Sequence, residues 1–286
     1  AAGLGLQTAE DLARQMLSKA GYYVFSTREY MSRVRGGNNS TQIRVSTKPV
    51  RAYVDNIDWL FALSPELRSN ITEKISEKTK ILGDASAMEG EISSLGRKII
   101  DLALAKRAAD LGSPKFSPMI VAGFIAGIFM LEENAADELI EKRFSDADLS
   151  EKNKMAFRTG HQLGKDNVGG KAVLTAPDKP AGDEIFLDGN SAGALGAASA
   201  GCNYITAYPM SPGTGVFSYF AKNAKLLGSV VEQVEDEISA INMVVGAAYA
   251  GARSMTTTSG GGFVLMCEGI SLAGITETPV VVHLAQ

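Results

Sequence analysis

From Asn190 to the end of the 286-residue chain, helix-length and strand-length segments alternate without interruption. Stretches of helical character, rich in small residues, cover 190–201, 215–223, 237–251 and 263–273. Strand signals fall between and after them, at 204–208, 229–234, 254–259 and 279–284. This order leaves no place for hairpins, because each strand must pass through a helix before the next strand begins. It predicts a parallel sheet with helices on both faces and ligands at the carboxyl ends of the strands.

The first part of the chain is of another texture. Ala1-Ala2-Gly3-Leu4-Gly5-Leu6 is a glycine-rich loop. Thr8 is expected to cap a helix whose stripe is Leu12, Met16, Leu17 and Ala20, with Gly21 stopping it. Strands are expected at 22–27, 42–47 and 57–63, the last buried by its apolar run. Residues 97–143 read as mainly helical, and 146–164 as one more polar helix. The chain therefore divides into an α/β domain over 1–165, a Pro/Gly-containing linker over 166–184, and the parallel-sheet domain over 185–286. A glycine loop of this kind follows a strand, so the first domain reads as lacking its first strand. The second, closing on an inner strand, reads as incomplete at its other end.

Composition removes several classes of function. A formal charge of -4, with no long basic block, gives no footprint for nucleic acid. Apolar runs fall short of the ~18 residues that a membrane helix needs, and the longest, 119–130, is broken by Gly123 and Gly127. Neither a nucleic acid nor a membrane is expected as a partner, and a cytoplasmic enzyme or subunit is the working class. Cys202 and Cys267 lie far apart without a C-x-x-C partner, so this chain alone should hold no iron–sulfur cluster or structural zinc. Both are expected to be small buried hydrophobes. His161 should lie on a surface and His283 should serve packing.

Three segments end strands of the second domain and carry polar chemistry. Tyr208-Pro209-Met210-Ser211-Pro212-Gly213-Thr214 exposes hydroxyls in a Pro/Gly turn. Glu235-Asp236-Glu237 joins a strand to a helix. Thr256-Thr257-Thr258-Ser259-Gly260-Gly261-Gly262 ends a strand in glycines, which let a ligand approach the backbone. Alone, Glu237 reads first as an acid in a helix's first turn, stabilising by a few tenths to ~1 kcal/mol, and the glycines equally as a tight helix start. In the first domain, Arg33, Arg35 and Asn38 flank Gly36 and Gly37. Paired guanidiniums beside glycines suit an anion such as a carboxylate or the phosphates of coenzyme A; a solvated turn or an interface salt bridge accounts for them equally.

In this order, the segments resemble the alpha-subunit pyrimidine domain of 2-oxoacid:ferredoxin oxidoreductases, 2-oxoglutarate members above all. The resemblance is carried by Ala207-Tyr208-Pro209-Met210-Ser211-Pro212, by Glu235-Asp236-Glu237-Ile238-Ser239-Ala240-Ile241-Asn242, by Gly251-Ala252-Arg253 through Phe263, and by Glu268-Gly269. Ala1 to Thr8 and Glu29-Tyr30-Met31-Ser32-Arg33-Val34-Arg35-Gly36-Gly37-Asn38-Asn39-Ser40 look like the gamma domain that such enzymes fuse ahead of the alpha part.

The resemblance implies thiamine diphosphate as cofactor, with Glu237 meeting N1′ of its aminopyrimidine and so promoting loss of the thiazolium C2 proton. A poorly solvated carboxyl suits that task, and Val234, Ile238 and Ile241 are the expected apolar surroundings. Tyr208, Pro209, Ser211, Ser259 and Gly260 would line the cofactor, with Ser211 also facing substrate. Members of the family typically have Thr where this chain has Ser211, and many have Pro where it has Gly261. The resemblance further implies a heterodimer: a beta subunit holding Mg²⁺, the diphosphate half-site and a [4Fe-4S] cluster, with ferredoxin, a 2-oxo acid and coenzyme A as further partners. An arginine that grips the substrate carboxylate would follow the strand ending at Gln286, so the chain is expected to be cut at both ends and unable to turn over alone. Two rivals stand beside this reading: a non-redox thiamine enzyme of transketolase or decarboxylase type, and a non-catalytic structural subunit.

Overall fold

Glycines decide how the first half of the molecule packs. The computed structural model describes residues 5–30, 39–64, 67, 69–87, 96–177 and 185–285, and the chain divides into two units, Ala1–Glu184 and Ile185–Gln286. The first unit runs α1 (Leu6–Lys19), β1 (Tyr23–Glu29), β2 (Ser40–Ser46), β3 (Ile57–Ala62), β4 (Ile75–Gly83), β5 (Ile99–Asp101), α2 (Leu104–Asp110), α3 (Ser117–Ile128), α4 (Asp137–Arg143) and α5 (Ala147–Asn167). Strands β1 and β2 pair antiparallel, and β3, β4 and β5 form a parallel sheet. Helices α3 and α5 meet backbone to backbone through Gly123 and Gly127 on one and Gly160 and Gly164 on the other, each pair one turn apart. A Cβ on Gly160 would stand 1.8 Å from the Ile120 carbonyl oxygen, and one on Gly123 1.9 Å from that of Phe157. Only hydrogen fits in that space. Ile120, Phe124 and Phe157 close the core around the contact.

Several expectations change here. Helix α1 begins at Leu6 rather than after Thr8, because Gly5 takes the left-handed conformation (φ 73°) that a side chain disfavours. Thr8 instead accepts a hydrogen bond from Arg143 Nη2 at 3.2 Å. Strand β3 is half-buried, not buried, since a cavity of about 710 Å³ lies against its Trp59, Leu60 and Phe61. Strands β4 and β5 lacked a clear alternating pattern, and β5 interrupts a stretch expected to be mainly helical. Helix α5 is not a surface helix. His161 is only 4% exposed; its Nε2 donates to the Leu131 carbonyl at 2.8 Å and its ring stacks on Phe157. Helix α5 also runs to Asn167, and Val173 N–H donates to Ile128 while the Leu174 carbonyl accepts from Tyr22. The start of the expected linker is thus structured chain held to the first unit.

The second unit follows the alternation read from the sequence: α6 (Gly189–Ser199), β6 (Tyr204–Ala207), α7 (Thr214–Leu227), β7 (Val230–Gln233), α8 (Glu237–Tyr249), β8 (Ser254–Thr258), α9 (Gly260–Leu265), α10 (Cys267–Ile275) and β9 (Val281–Leu284). All four strands are parallel, in the order β7-β6-β8-β9. Ile205, Ala207 and Met255 face one side of the sheet and pack against Ala194 of α6 and Val216, Phe217 and Phe220 of α7. Helices α8 and α10 cover the other side. The helix expected over 263–273 starts three residues earlier and breaks at Met266, whose fully buried side chain pins the bend between α9 and α10. The cysteines are not the buried pair expected. Cys267 is exposed, and Cys202 is half-buried, where desolvation pushes its thiol above the ordinary range. No single helix among the described residues is long and apolar enough to cross a membrane.

Candidate functional site

Strands β6, β7 and β8 deliver their three polar segments to the carboxyl edge of one sheet. After β7, Asp236 caps α8: its carboxylate accepts from Ser239 N–H at 2.7 Å, and that bond holds its pKa below the usual carboxylate range. Glu237 follows as the first helical residue. Positions 237, 240, 241 and 244 share one face of α8, and Ala240, Ile241 and Val244 bury that face. A glutamate therefore occupies a core position, where it is 3% exposed. Its walls differ in part from those expected. Val234 and Ile241 belong to the buried cluster, which Ala240 and Met266 complete, whereas Ile238 is 49% exposed on the outer face.

Glu237 Oε1 is enclosed and has no hydrogen-bond partner, and Glu237 enters no ion pair among the described residues. A buried carboxyl in this state is costly unless a partner arrives. The third segment shapes the space around it. A Cβ on Gly262 would lie 2.5 Å from Glu237 Oε1, 2.7 Å from its Cγ and 2.1 Å from Thr258 Oγ1. Gly262 thus lets the end of β8 close onto the carboxyl, a contact that the sequence reading did not single out.

The loop after β6 is fastened to the end of β8. Ser259 Oγ donates to Met210 Sδ at 2.8 Å. Thr257 Oγ1 donates to the Gly213 carbonyl at 2.9 Å and meets His283 Nδ1 of β9 at 2.9 Å. Gly213 itself lies so close to β8 that a Cβ there would be 3.0 Å from the Thr258 carbonyl. Between these anchors, Tyr208, Pro209 and Ser211 are exposed at the sheet edge, as is Gly260 at the start of α9, and the Ser211–Pro212 peptide is cis. Ser211 makes no hydrogen bond to Glu237. The structure therefore brings Glu237, Thr258 and Gly262 into contact and fixes Ser259 to the loop that presents Ser211. Arg33, Arg35 and Asn38 lie outside the described residues.

Thiamine diphosphate can be tested against these residues. Its aminopyrimidine offers a ring nitrogen that needs a carboxyl partner in a dry setting, and Glu237 is a dry carboxyl without one. The glycines after β8 leave open space, since nothing lies within 4 Å of where a Cβ on Gly261 would stand. The residues fit the group.

Comparison with known proteins agrees in both units. Residues 1–163 match the family model described as pyruvate ferredoxin/flavodoxin oxidoreductase. Residues 195–286 match the thiamine diphosphate-binding model of pyruvate flavodoxin/ferredoxin oxidoreductase. A 2-oxoacid:ferredoxin oxidoreductase subunit alpha from Sulfolobus sp is 27% identical over 99% of this chain and 52% of its own length. A 2-oxoglutarate synthase subunit KorA from Archaeoglobus fulgidus is 47% identical over 34% of this chain and 28% of its own. Among solved structures, a 2-oxoglutarate:ferredoxin oxidoreductase from Magnetococcus marinus, with 2-oxoglutarate, coenzyme A and succinyl-CoA bound, matches 100% of this chain and 50% of that chain at 27% identity, with a TM-score of 0.84. The chain spans about half the length of the relatives that match it end to end.

Proposed function

The chain belongs to the pyruvate ferredoxin/flavodoxin oxidoreductase family, and from that premise we propose that it supplies the pyrimidine half of a thiamine diphosphate site in a 2-oxoacid:ferredoxin oxidoreductase. The reaction is the coenzyme A-dependent oxidative decarboxylation of a 2-oxo acid to acyl-CoA and CO₂, with the electrons passing to ferredoxin. 2-Oxoglutarate is the favoured substrate, in keeping with the bound ligands of the Magnetococcus marinus structure and with the KorA relatives of the second unit. The match of residues 1–163 separates this reading from a non-redox thiamine enzyme, for which a gamma-type domain has no use.

One observation carries the proposal: Glu237 is a buried carboxyl that, among the described residues, neither an ion pair nor a hydrogen bond has claimed. When bound, thiamine diphosphate supplies a carbon nucleophile and a sink for the electrons released with CO₂. Glu237 would hold and return the proton at N1′ of the aminopyrimidine ring. Tyr208, Pro209, Ser259 and Gly260 would hold the cofactor, and Ser211 would offer its hydroxyl to cofactor and substrate. Burial of Glu237 excludes water from its carboxyl, which strengthens that contact. Mg²⁺, the diphosphate half-site and the [4Fe-4S] cluster fall to a beta subunit in a cytoplasmic complex. Exposed Leu226, Tyr249, Val264 and Ile275 give the second unit apolar surface for that partner. Arg33, Arg35 and Asn38 are assigned to anion contact with coenzyme A or the substrate carboxylate.

The test is to purify the full-length protein with its neighbouring subunit and to measure coenzyme A-dependent dye reduction by several 2-oxo acids. Glu237→Gln should lower turnover on the order of 10²–10⁴-fold while leaving assembly unchanged. Undiminished turnover in the variant removes the basis of the proposal.

A further inference from the structure

The two faces of the second-unit sheet are chemically unlike. Ile205, Ala207 and Met255 make the face toward α6 and α7 apolar. The register that pairs Ile205 with Met255 places Thr206 beside Thr256 on the opposite face, in line with Ser254 and Thr258. Ser254 Oγ donates to the Val244 carbonyl of α8 at 2.8 Å, which fixes this face beneath that helix. A row of hydroxyls thus lies under the apolar side of α8, where packing alone would favour Val or Ile. The hydroxyls of Thr206, Thr256 and Thr258 have no hydrogen-bond partner, and all three residues are fully buried. The row ends at Thr258, and Thr258 ends at Glu237.

We infer that Thr258 is a positioning residue for Glu237: its hydroxyl addresses Oε1 and leaves the second carboxyl oxygen to the cofactor ring. This rests on the reading of Glu237 given above. Thr258 Oγ1 and Glu237 Oε1 flank the same point above the Gly262 Cα, at 2.1 and 2.5 Å from it. They make no hydrogen bond to each other in this structure or to any other group among the described residues, so each is left available to the other. Oε1 is an enclosed oxygen, so a neighbouring side chain rather than an incoming ring is placed to serve it. A hydroxyl suits this place because it donates to a carboxylate and, after a rotation, accepts from a protonated carboxyl. An ammonium could only donate, and would hold Glu237 in one of its two states.

The experiment uses the assembled full-length complex, depleted of cofactor and titrated with thiamine diphosphate by calorimetry, together with steady-state turnover. Thr258→Val keeps the shape and removes the hydroxyl, Thr258→Ser keeps the hydroxyl, and Thr258→Ala keeps neither. The expected result is a cofactor Kd raised on the order of 10-fold in the Val and Ala variants, about 1.4 kcal/mol. Their kcat should fall with little change in KM for the 2-oxo acid, and Ser should behave like the parent. In a Glu237→Gln background, Thr258→Val should have no further effect on Kd, as coupling through one contact requires. A hydroxyl-independent pattern, with Val like the parent and Ser like Ala, overturns the inference and makes Thr258 a packing residue. If Thr258→Val does not assemble, the Ser and Ala pair decides in the same way. Loss in Glu237→Gln with none in Thr258→Val or Thr258→Ala sinks only this inference, whereas no loss in Glu237→Gln sinks the functional reading beneath it.

Discussion

Gly262→Ala adds one methyl group and should nearly silence the proposed site. Its Cβ would stand 2.5 Å from Glu237 Oε1 and 2.1 Å from Thr258 Oγ1, where ordinary contact begins at 3.4 Å. Thr258 is fully buried on its strand and has little room to yield, so the carboxyl must retreat by about 1 Å. Misplacing a reacting group by that much costs on the order of 10²-fold in rate, or about 2.7 kcal/mol of transition-state stabilisation. Stability should change far less. Overpacking costs about 1–3 kcal/mol, and replacing a helical glycine with alanine returns about 1 kcal/mol. The assay compares kcat/KM for dye reduction with the thermal midpoint of the assembled complex, using Gly246→Ala on the exposed face of α8 as the control. An added Cβ at Gly246 meets nothing within 4 Å, so that variant should match the parent. Parental kcat/KM in Gly262→Ala would refute the reasoning, because the carboxyl would then tolerate displacement or the glycine would not touch it.

Two further outcomes concern stability. Gly160→Ala drives a Cβ to 1.8 Å from the Ile120 carbonyl oxygen, an atom of the α3 backbone that cannot rotate away. The net loss should be about 2 kcal/mol or more, a fall of roughly 4–8 °C in the melting temperature; exposed Gly196→Ala, which meets nothing, should not lower it, and a Gly160→Ala melt at or above the parent's would deny the contact. Asp236 has a folded pKa depressed by its bond from Ser239 N–H. Its capping contribution should therefore be complete above the unfolded value of about 3.9 and vanish as pH falls through the lower folded value. In thermal melts, the advantage of the parent over Asp236→Ala should shrink in acid, and a constant difference would show that the carboxylate is not what stabilises the cap.

What could be read from the sequence was whatever repeats or breaks a pattern. The parallel sheet of the second unit follows from alternation alone, and Glu237 stands out as an acid where a strand runs into a helix, its role supplied by the resemblance; its core position in step with Ala240, Ile241 and Val244 emerges only from the fold. Contacts that depend on an absent side chain were invisible. Helix α5 read as polar because its buried face is partly glycine, and glycine adds nothing to a hydrophobic period; His161 was misplaced for the same reason. Gly262 was one of three consecutive glycines, and only the turn of α9 shows which of them meets the carboxyl. Thr258 was one of three consecutive threonines, and strand parity distinguishes it from Thr257, which faces the other way toward Gly213. The left-handed Gly5 and the half-buried β3 are set by surroundings distant in sequence, which local propensity does not register.

Thr257 has a single hydroxyl proton, and the Gly213 carbonyl can only accept it. His283 must then be the donor in its contact with Thr257, which settles the imidazole tautomer with hydrogen on Nδ1. The tether from β9 through Thr257 to the loop bearing Ser211 therefore runs in one direction, each donor committed to a single acceptor.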